Sequence, residues 1–238
     1  MEPILIPAGN PSEWTGPTGN NTWLLHGREP GLIDAGTGAP SHLEALETAL
    51  GGAALSRVLI THWHPDHVKG LPALRDRWRH LLVVDAAGDP VPAGDRMLEI
   101  VPTPGHSPDH LCFFDRDAGD VYCGDLARHG GTIVIPARKG GDLRAYLASL
   151  RLVRDLAPRR LLPGHGPIVD DPIALIDQYI AHRAEREQQI LKAMLDGART
   201  VEEIVRRVYP ALPASLSEAA ADSVRAHLAK LRDDGRAS

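Results

Sequence analysis

Four side chains that commonly bind metal ions lie within six consecutive positions of this sequence. They are His62, His64, Asp66 and His67, and they follow the short apolar run at residues 58–60. If the segment is extended, side chains 62 and 64 point the same way and can occupy adjacent corners of one coordination sphere. Asp66 and His67 follow a turn at Pro65 and can face a second metal ion. A histidine-rich surface loop is the alternative, which this density of ligands disfavours.

Three further candidate ligands share a local pattern downstream. His106 lies in Thr-Pro-Gly-His-Ser, Asp125 in Tyr-Cys-Gly-Asp and His165 in Leu-Pro-Gly-His-Gly. Each follows a short apolar stretch and is preceded directly by glycine, which permits a sharp turn or a close approach of the backbone. Taken singly, each would more often be a capping aspartate or a structural histidine. Together with the first cluster they predict the rim of a metal site.

The ordered set of candidate ligands resembles a known family. With the segment Leu-Ile-Asp-Ala-Gly at residues 32–36, it is similar to the metallo-β-lactamase superfamily of dinuclear metallohydrolases. This resemblance covers the chain up to about residue 170. The ligand pattern is specific for the superfamily and says little about the substrate.

A narrower resemblance extends over nearly the whole chain. The segments Asn-Asn-Thr-Trp at 20–23, Gly-Thr-Ile-Val at 131–134, Pro-Gly-His-Gly-Pro at 163–167 and the stretch 179–191 look like the β-lactamase-like-protein-2 group. Members of that group add a small C-terminal, winged-helix-like unit and include a single-strand-selective endoribonuclease. The resemblance therefore implies an αββα metallo-β-lactamase sandwich with a small C-terminal helical unit.

The resemblance also implies a division of the ligands between two metal ions. The first ion would be held by His62, His64 and His106, the second by Asp66, His67 and His165, and both by Asp125. Five imidazoles with two carboxylates suit zinc. Manganese and iron stay open, because ligand type alone does not fix the metal. A metal-bridging hydroxide is the expected nucleophile, and Asp66 is expected to orient it and take its proton.

Four other residues are candidates for supporting a ligand or contacting substrate. Asp34 is expected to orient a ligand imidazole, with a turn-capping role as the alternative. His110 and His129 are near enough in sequence to reach a substrate, although a structural or solvent-facing role is favoured for both. Trp14, in a loop rich in Gly and Pro, is predicted either as an aromatic lip over the cleft or as a plain surface residue.

The apolar pattern predicts the elements that position these residues. Strands are predicted at 23–25, 31–33, 58–60, 81–84, 98–101, 111–114, 121–123 and 133–135. A Ser41-to-Glu44 capping box predicts a helix to about residue 50, and Asp142 predicts another to about residue 156. Such a mixture suits two central sheets flanked by helices. We expect a catalytic domain at residues 1–171 and a helical domain at 172–238.

The helical domain is predicted to contain three helices. Residues 173–196 lack Gly and Pro and form a long first helix, Thr200 with Glu203 starts a second, and residues 217–232 form a third. These resemble a winged helix with little room for a wing. Acidic residues are interleaved with the basic ones, which disfavours reading of a nucleic-acid groove. A packing or substrate-lip role, with dimerisation as a further option, is favoured.

Composition is typical of an enzyme with one full core and an appendage. The chain has 238 residues, a formal charge of −5 and a pI near 6.2, which does not favour nonspecific binding of polyanions. No apolar run reaches membrane-spanning length and no signal-peptide pattern is present, so a cytoplasmic location is expected. Cys112 and Cys123 lie in apolar runs and are predicted to be buried rather than bonded or metal-binding.

Three functional hypotheses follow. The first is a dinuclear hydrolase of small esters, thioesters or lactones, and the second is a phosphodiesterase, specifically a single-strand-selective endoribonuclease. The third, of another class, is a non-catalytic metal-binding protein. It is the weakest, because seven ligands with space for a water molecule suit catalysis better than a closed structural site.

Overall fold

In the described part of the chain, ten strands in two mixed sheets form the centre of the protein. The computed structural model describes residues 2–13 and 15–236. The strands, β1 to β10 in chain order, are Ile4–Pro7, Asn21–Leu25, Gly31–Ile33, Arg57–Leu59, Leu82–Val84, Val91–Ala93, Arg96–Pro102, Leu111–Asp115, Asp120–Gly124 and Arg160–Pro163. One sheet has the order β1-β2-β3-β4-β5, and the other has the order β10-β9-β8-β7-β6.

Seven α-helices and two short 3-10 helices, Ala137–Lys139 and Ala214–Leu216, complete the described part of the chain. In order, α1 to α7 are Pro40–Leu50, Pro65–Val68, Leu71–Arg77, Leu143–Asp155, Pro172–Leu195, Val201–Val208 and Ser217–Asp233. Asp142 caps α4 by accepting a hydrogen bond from Ala145 N, as predicted. Thr200 and Glu203 form the predicted capping box of α6. These caps satisfy N–H groups that have no partner within a helix.

Three clusters of buried apolar side chains lie between the sheets and helices and hold them together. Trp23 and Leu59 of the first sheet meet Phe113 and Tyr122 of the second in a core between the sheets. A second cluster packs the outer face of the first sheet on α1 and α3. A third packs the outer face of the second sheet on α4 and α5. The layers are thus helix, sheet, sheet and helix, which confirms the predicted αββα architecture.

The two sheets are joined along the edge where the candidate ligands lie. Thr61 O, two residues after β4, accepts a hydrogen bond from Leu111 N at the start of β8 (2.7 Å). Gly164 O, directly after β10, accepts one from Asn21 N at the start of β2 (2.8 Å). Loops from both sheets are therefore held next to each other at one edge.

The long helix α5 connects this sandwich to the C-terminal unit. Its residues Ile176 and Tyr179 belong to the core around α4, whereas Ile190 and Ala193 pack against α6 and α7. Ala226 of α7 reaches the core around α4 as well. The predicted domain boundary at residue 171 coincides with the start of α5, but this helix contributes to both cores, so the boundary stays a prediction.

Two local predictions were wrong. Residues 133–135 form no strand, and their backbone groups bind side chains instead: Ile133 O accepts from Arg183 and Val134 O contacts His106. Ser41 is not the N-cap of α1, because the helix already begins at Pro40. Proline is favoured at this first helical position since its missing N–H would have no partner there. Strands β1 and β6 were not predicted, and β10 is the short apolar stretch that precedes Gly164 and His165.

Candidate metal centre

The structure brings the seven predicted ligands together at the shared edge of the two sheets. Three groups of them place one ligand atom per residue within 4.8 Å of one another: His62, His64 and His106; His62, His67 and Asp125; and Asp66, His67 and His165. The groups overlap at His62 and His67. Residues separated by about a hundred positions in sequence thus form one continuous cluster.

Three imidazoles converge in the first part of the cluster. His64 Nδ1 lies 3.0 Å from His62 Nε2 and 2.9 Å from His106 Nε2. Nitrogen ligands of one tetrahedral zinc ion lie about 3.3 Å apart, given zinc–nitrogen bonds of about 2.0–2.1 Å. If the inward-facing nitrogens of all three imidazoles are unprotonated, they cannot hydrogen-bond to one another, because none of them carries an N–H donor. The spacing therefore fits a shared cation.

Asp125 lies between the two parts of the cluster. Its Oδ2 is 3.6 Å from His106 Nε2, and its Oδ1 is 3.3 Å from His165 Nε2 and 3.6 Å from His67 Nε2. Asp66 Oδ2 is 3.5 Å from His165 Nε2 and 3.6 Å from His67 Nε2. The two oxygens of Asp125 thus face different histidines, which is the geometry of a bridging carboxylate.

The outward ring nitrogens fit the same interpretation. His106 Nδ1 lies 2.7 Å from Val134 O, and His67 Nδ1 lies 2.7 Å from Asp34 Oδ2. Both acceptors place the proton on Nδ1 and leave Nε2 free to bind a metal ion. Asp125 Oδ1 is buried and has no hydrogen-bond partner among the described residues. A metal ion would satisfy this oxygen, so the residues present fit a dinuclear site.

Protonation of the metal-free cluster follows from its carboxylates. Burial opposes the charged form of His67, but Asp34 and Asp125 outweigh it and raise its pKa to about 9. Burial likewise opposes the charged form of His165, and Asp125 and Asp66 raise its pKa to about 10. Burial would raise the pKa of Asp66, yet hydrogen bonds with His165 and Asn20 and the charge on His67 lower it. Protons thus balance the carboxylates, and a bound cation displaces them.

Local backbone structure explains how the ligands fit together. His64 is the N-cap of the short helix α2, Pro65 opens the helix, and Asp66 and His67 lie in it, so three ligands fit into one tight turn. A Cβ atom on Gly164 would lie 2.8 Å from His67 Cε1. One on Gly124, whose φ is +45°, would lie 2.7 Å from Thr61. Glycine before the ligand is therefore required at both positions.

The four supporting candidates have different surroundings. Asp34 is buried, accepts from Thr61 N (2.8 Å) and contacts His67 Nδ1, and its orienting role stays a prediction. His110 is buried, with Nδ1 2.8 Å from Thr103 Oγ1 and Nε2 accepting from Asp125 N (3.1 Å), so it supports a predicted ligand. His129 is exposed and lines a separate cavity beside α5. Trp14 lies outside the described residues.

Sequence reasoning did not assign a role to Asn20. Its Nδ2 donates to Asp66 Oδ2 (2.9 Å), and its Oδ1 accepts from Asn10 Nδ2 (2.6 Å). Asn20 is buried and therefore holds the Asp66 carboxylate in a fixed position. The Asn-Asn-Thr-Trp segment marked this region, but no local pattern indicates which side chain asparagine would contact. Cys112 and Cys123 are free and buried, and neither belongs to the ligand groups found among the described residues.

Comparison with known proteins assigns the family. The protein-family model described as "Metallo-beta-lactamase superfamily" matches residues 15–97 and 83–165. The chain belongs to the metallo-β-lactamase superfamily. A second model, "Beta-lactamase associated winged helix domain", matches residues 200–238. Both predicted resemblances, to the superfamily and to a winged-helix-like C-terminal unit, are confirmed.

Relatives within the superfamily cover most of the chain. A β-lactamase-like protein 2 homolog of Drosophila melanogaster is 32% identical over 98% of this chain and 88% of that protein. An atrochrysone carboxyl ACP thioesterase of Aspergillus chevalieri is 31% identical over 91% of this chain and 76% of that protein. A β-lactamase domain protein from Burkholderia ambifaria shares the fold, with a TM-score of 0.83 at 22% identity over 98% of this chain and 86% of that one. The chain is a hydrolase of this superfamily.

A cavity of about 650 Å³ adjoins the cluster of predicted metal ligands. His64, Asp66, His106, Asp125 and His165 line one part of it. Much of the remaining wall comes from α5 and the C-terminal unit: His182, Arg183, Arg186, Tyr209, Leu212, Leu216, Ala219, Ala220 and Ser223. This volume is in the range of small-molecule sites. The substrate-lip role of the C-terminal unit stays a prediction.

Salt bridges hold α7 against the cavity. Arg138 Nε lies 2.8 Å from Asp222 Oδ1, and the same guanidinium also contacts Glu218. Lys230 Nζ lies 2.8 Å from Glu187 Oε2 of α5.

Among the described residues, no helix combines the length and apolar character needed to cross a membrane.

Proposed function

We propose that this hydrolase is a dinuclear, metal-dependent thioesterase acting on small acyl thioesters. The observation that carries the proposal is the cavity, which joins five of the seven predicted ligands to the apolar side chains of Ile133, Leu212 and Leu216. An acyl chain suits such a wall, and the carbonyl carbon would then lie beside the ligands. The similarity to a carboxyl ACP thioesterase supports a thioester as the electrophile.

In this proposal two divalent ions, most consistent with zinc, would be held by the ligand sets that the resemblance implied. His62, His64 and His106 would hold the first, Asp66, His67 and His165 would hold the second, and Asp125 would serve both. When bound, the ions supply a water of lowered pKa as nucleophile and a Lewis acid for the carbonyl oxygen. Asp34 and His110 fix His67 and Asp125 in position.

Asp66 has a second proposed role as proton acceptor. Asn20 holds its Oδ2, and the low pKa of the carboxyl keeps it ionised at neutral pH. Water adds to the thioester carbonyl carbon, and Asp66 takes one of its protons. The carbon–sulfur bond then breaks, the proton passes to the departing thiolate, and the products are a carboxylic acid and a thiol.

The substrate class can be tested together with the metal content. Freshly purified protein is analysed for metals by mass spectrometry and assayed with an N-acetylcysteamine thioester, a lactone, a phosphodiester and a short single-stranded RNA, before and after chelation. We expect about two ions per chain and chelator-sensitive hydrolysis in which the thioester is preferred. Asp125→Asn should lose metal and turnover, whereas Asp177→Asn on the exposed face of α5 serves as control.

Other outcomes lead to different functions. Preference for RNA would contradict the thioesterase proposal and support the endoribonuclease alternative. Bound metal without turnover of any substrate would support the non-catalytic alternative. The predicted homodimer stays a prediction, which size-exclusion chromatography with light scattering checks on the same sample.

A further inference from the structure

Two arginines of α5, the buried Arg183 and the half-buried Arg186, line the cavity and have no carboxylate partner among the described residues. Arg183 is 2% exposed, and its guanidinium donates to Ile133 O and lies over the Tyr146 ring. Arg186 Nη1 donates to Val208 O (3.2 Å), and its Cζ lies 4.2 Å from the centre of the Tyr209 ring. The Nε atoms of both arginines are buried and lack a hydrogen-bond partner in the described part of the chain.

The neighbouring carboxylates are occupied by other cations. Glu187 contacts Lys230 (2.8 Å) and Arg236, and Asp222 contacts Arg138 (2.8 Å) and Arg225 (3.1 Å). The positive charge of Arg183 and Arg186 is therefore not neutralised by a described acidic side chain. A buried charge without a partner is costly, and such groups are normally paired.

The positive charges of Arg183 and Arg186 also act on His227. This histidine of α7 is buried, and neither ring nitrogen has a hydrogen-bond partner among the described residues. Burial, followed by the charges of Arg183 and Arg186, lowers its pKa to about 3. Burial is the largest cause of this shift, and the guanidinium charges of Arg183 and Arg186 act in the same direction.

Lys139 adds a cation at the edge of the same cavity. It ends the short 3-10 helix Ala137–Lys139, is exposed, and has no carboxylate partner among residues 2–13 and 15–236. Outside the metal-ligand cluster, Glu13 is the acidic side chain among the described residues that line the cavity. Cations therefore dominate the wall formed by α5 and the 3-10 helix.

We propose that Arg183, Arg186 and Lys139 form an anion-binding subsite for a second acidic group on the acyl portion of the substrate. This inference rests on the proposed thioesterase function and specifies its substrate class as half-thioesters of dicarboxylic acids. Guanidinium groups bind carboxylates through two parallel N–H donors, and burial strengthens these bonds. The apolar residues Leu212 and Leu216 line the same cavity and suit the methylene chain between the two carbonyl groups.

Matched substrates test the subsite. A series of N-acetylcysteamine half-thioesters, from succinyl to suberyl, is compared with the same compounds carrying the far carboxylate as a methyl ester. At the best chain length the metal-loaded protein should favour the carboxylate by about 10- to 100-fold in kcat/KM, the range expected for hydrogen bonds to a charged group. Equal kcat/KM for both members, with both hydrolysed, would overturn the subsite and leave the thioesterase proposal intact.

Variants then locate the subsite. Arg186→Met and Lys139→Met should each reduce the carboxylate preference, and Arg186→Lys should restore part of it. Arg154→Met is the matched control, because Arg154 forms an exposed salt bridge with Asp177 away from the cavity. If coenzyme A thioesters depend on Arg186 whatever their acyl charge, while the N-acetylcysteamine pairs do not differ, the subsite binds the phosphates of the carrier and the acyl assignment is wrong.

A binding measurement makes the inference independent of turnover. Calorimetric titration with free adipate and with its monomethyl ester is carried out on the metal-loaded wild type and on Arg186→Met. Stronger binding of adipate to the wild type, reduced in the variant, would support the subsite even if no thioester were hydrolysed. The same weak binding of both compounds to both proteins would refute it.

Discussion

The Asp66 carboxylate has two functions in the proposal. It contacts two predicted metal-binding histidines, and it accepts a proton from the attacking water. Asp66→Asn keeps the shape of the side chain but removes its charge and basicity. With saturating metal, we expect kcat to fall by at least about 100-fold, the usual contribution of a positioned base. Steady-state kinetics with metal analysis of the same sample measures this. Wild-type turnover with both ions bound would show that Asp66 does not take the proton.

Asp34 acts on the cluster through His67. Its carboxylate fixes the proton on His67 Nδ1, and it is held by Thr61, so Asp34→Asn weakens the orientation and basicity of that imidazole. We expect metal affinity to fall by about 10- to 100-fold, as is usual for partners of metal-binding histidines. Competition with a chromogenic chelator measures the affinity. Asp177→Asn controls for loss of a carboxylate elsewhere, and unchanged affinity in Asp34→Asn would contradict the role.

The ligand residues could be predicted because their signals are local. Four of them lie within six positions, and the others each follow a glycine. Arg183 and Arg186 carry no such signal. Their lack of a carboxylate partner depends on which acidic side chains α7 brings near α5, and that arrangement is a property of tertiary packing. A sequence shows that an arginine is present but not which groups surround it.

At the scale of elements, two similar capping motifs had different outcomes. Both Ser41 and Thr200 are followed by glutamate three positions later, yet only Thr200 caps a helix. Pro40 starts α1 one residue earlier and places Ser41 inside the helix. The β-branched residues at 133–135 likewise predicted a strand, but their carbonyl groups bind Arg183 and His106. The neighbouring proline decided the first case, whereas long-range side-chain contacts overruled local strand propensity in the second.

His227 makes the docking of α7 sensitive to acid. In the folded protein its pKa is about 3, whereas an unfolded histidine titrates near 6.5. The unfolded state therefore binds a proton first, and the free energy of unfolding falls as pH drops from 6.5 towards 3, by roughly 1.4 kcal/mol per pH unit. His227→Leu removes this contribution.

Urea denaturation at two pH values measures the effect. Between pH 7.5 and 5, the wild type should lose about 2 kcal/mol more stability than His227→Leu, from the roughly 1.5 pH units below the unfolded pKa. The exposed His80 provides a matched control, since His80→Leu should keep the pH dependence of the wild type. Identical pH dependence in His227→Leu would mean that His227 is protonated in the folded state.

At the scale of the whole molecule, α5 makes the catalytic sandwich and the C-terminal unit into one structure. One end of the helix belongs to the core around α4 and the other to the core around α7. The cavity lies where these parts meet, with predicted metal ligands from one and Tyr209 and Ala219 from the other. The sequence predicted both parts, but the shared cavity depends on their relative placement, which the helix and the Arg138 salt bridges determine.

This arrangement predicts that a change on α7 alters turnover without touching the metal cluster. Ala219 lines the cavity and is half-buried, so the phenyl ring introduced by Ala219→Phe would occupy part of the cavity that the substrate needs. We expect kcat/KM for the thioester to fall by about 10-fold or more, the cost of one poorly fitting group in a pocket. Metal content should not change. Ala229→Phe, on the exposed side of the same helix, should keep full activity. If both variants were equally active, the C-terminal unit would not form part of the substrate site, and the cavity wall assigned to α7 would have no role in binding.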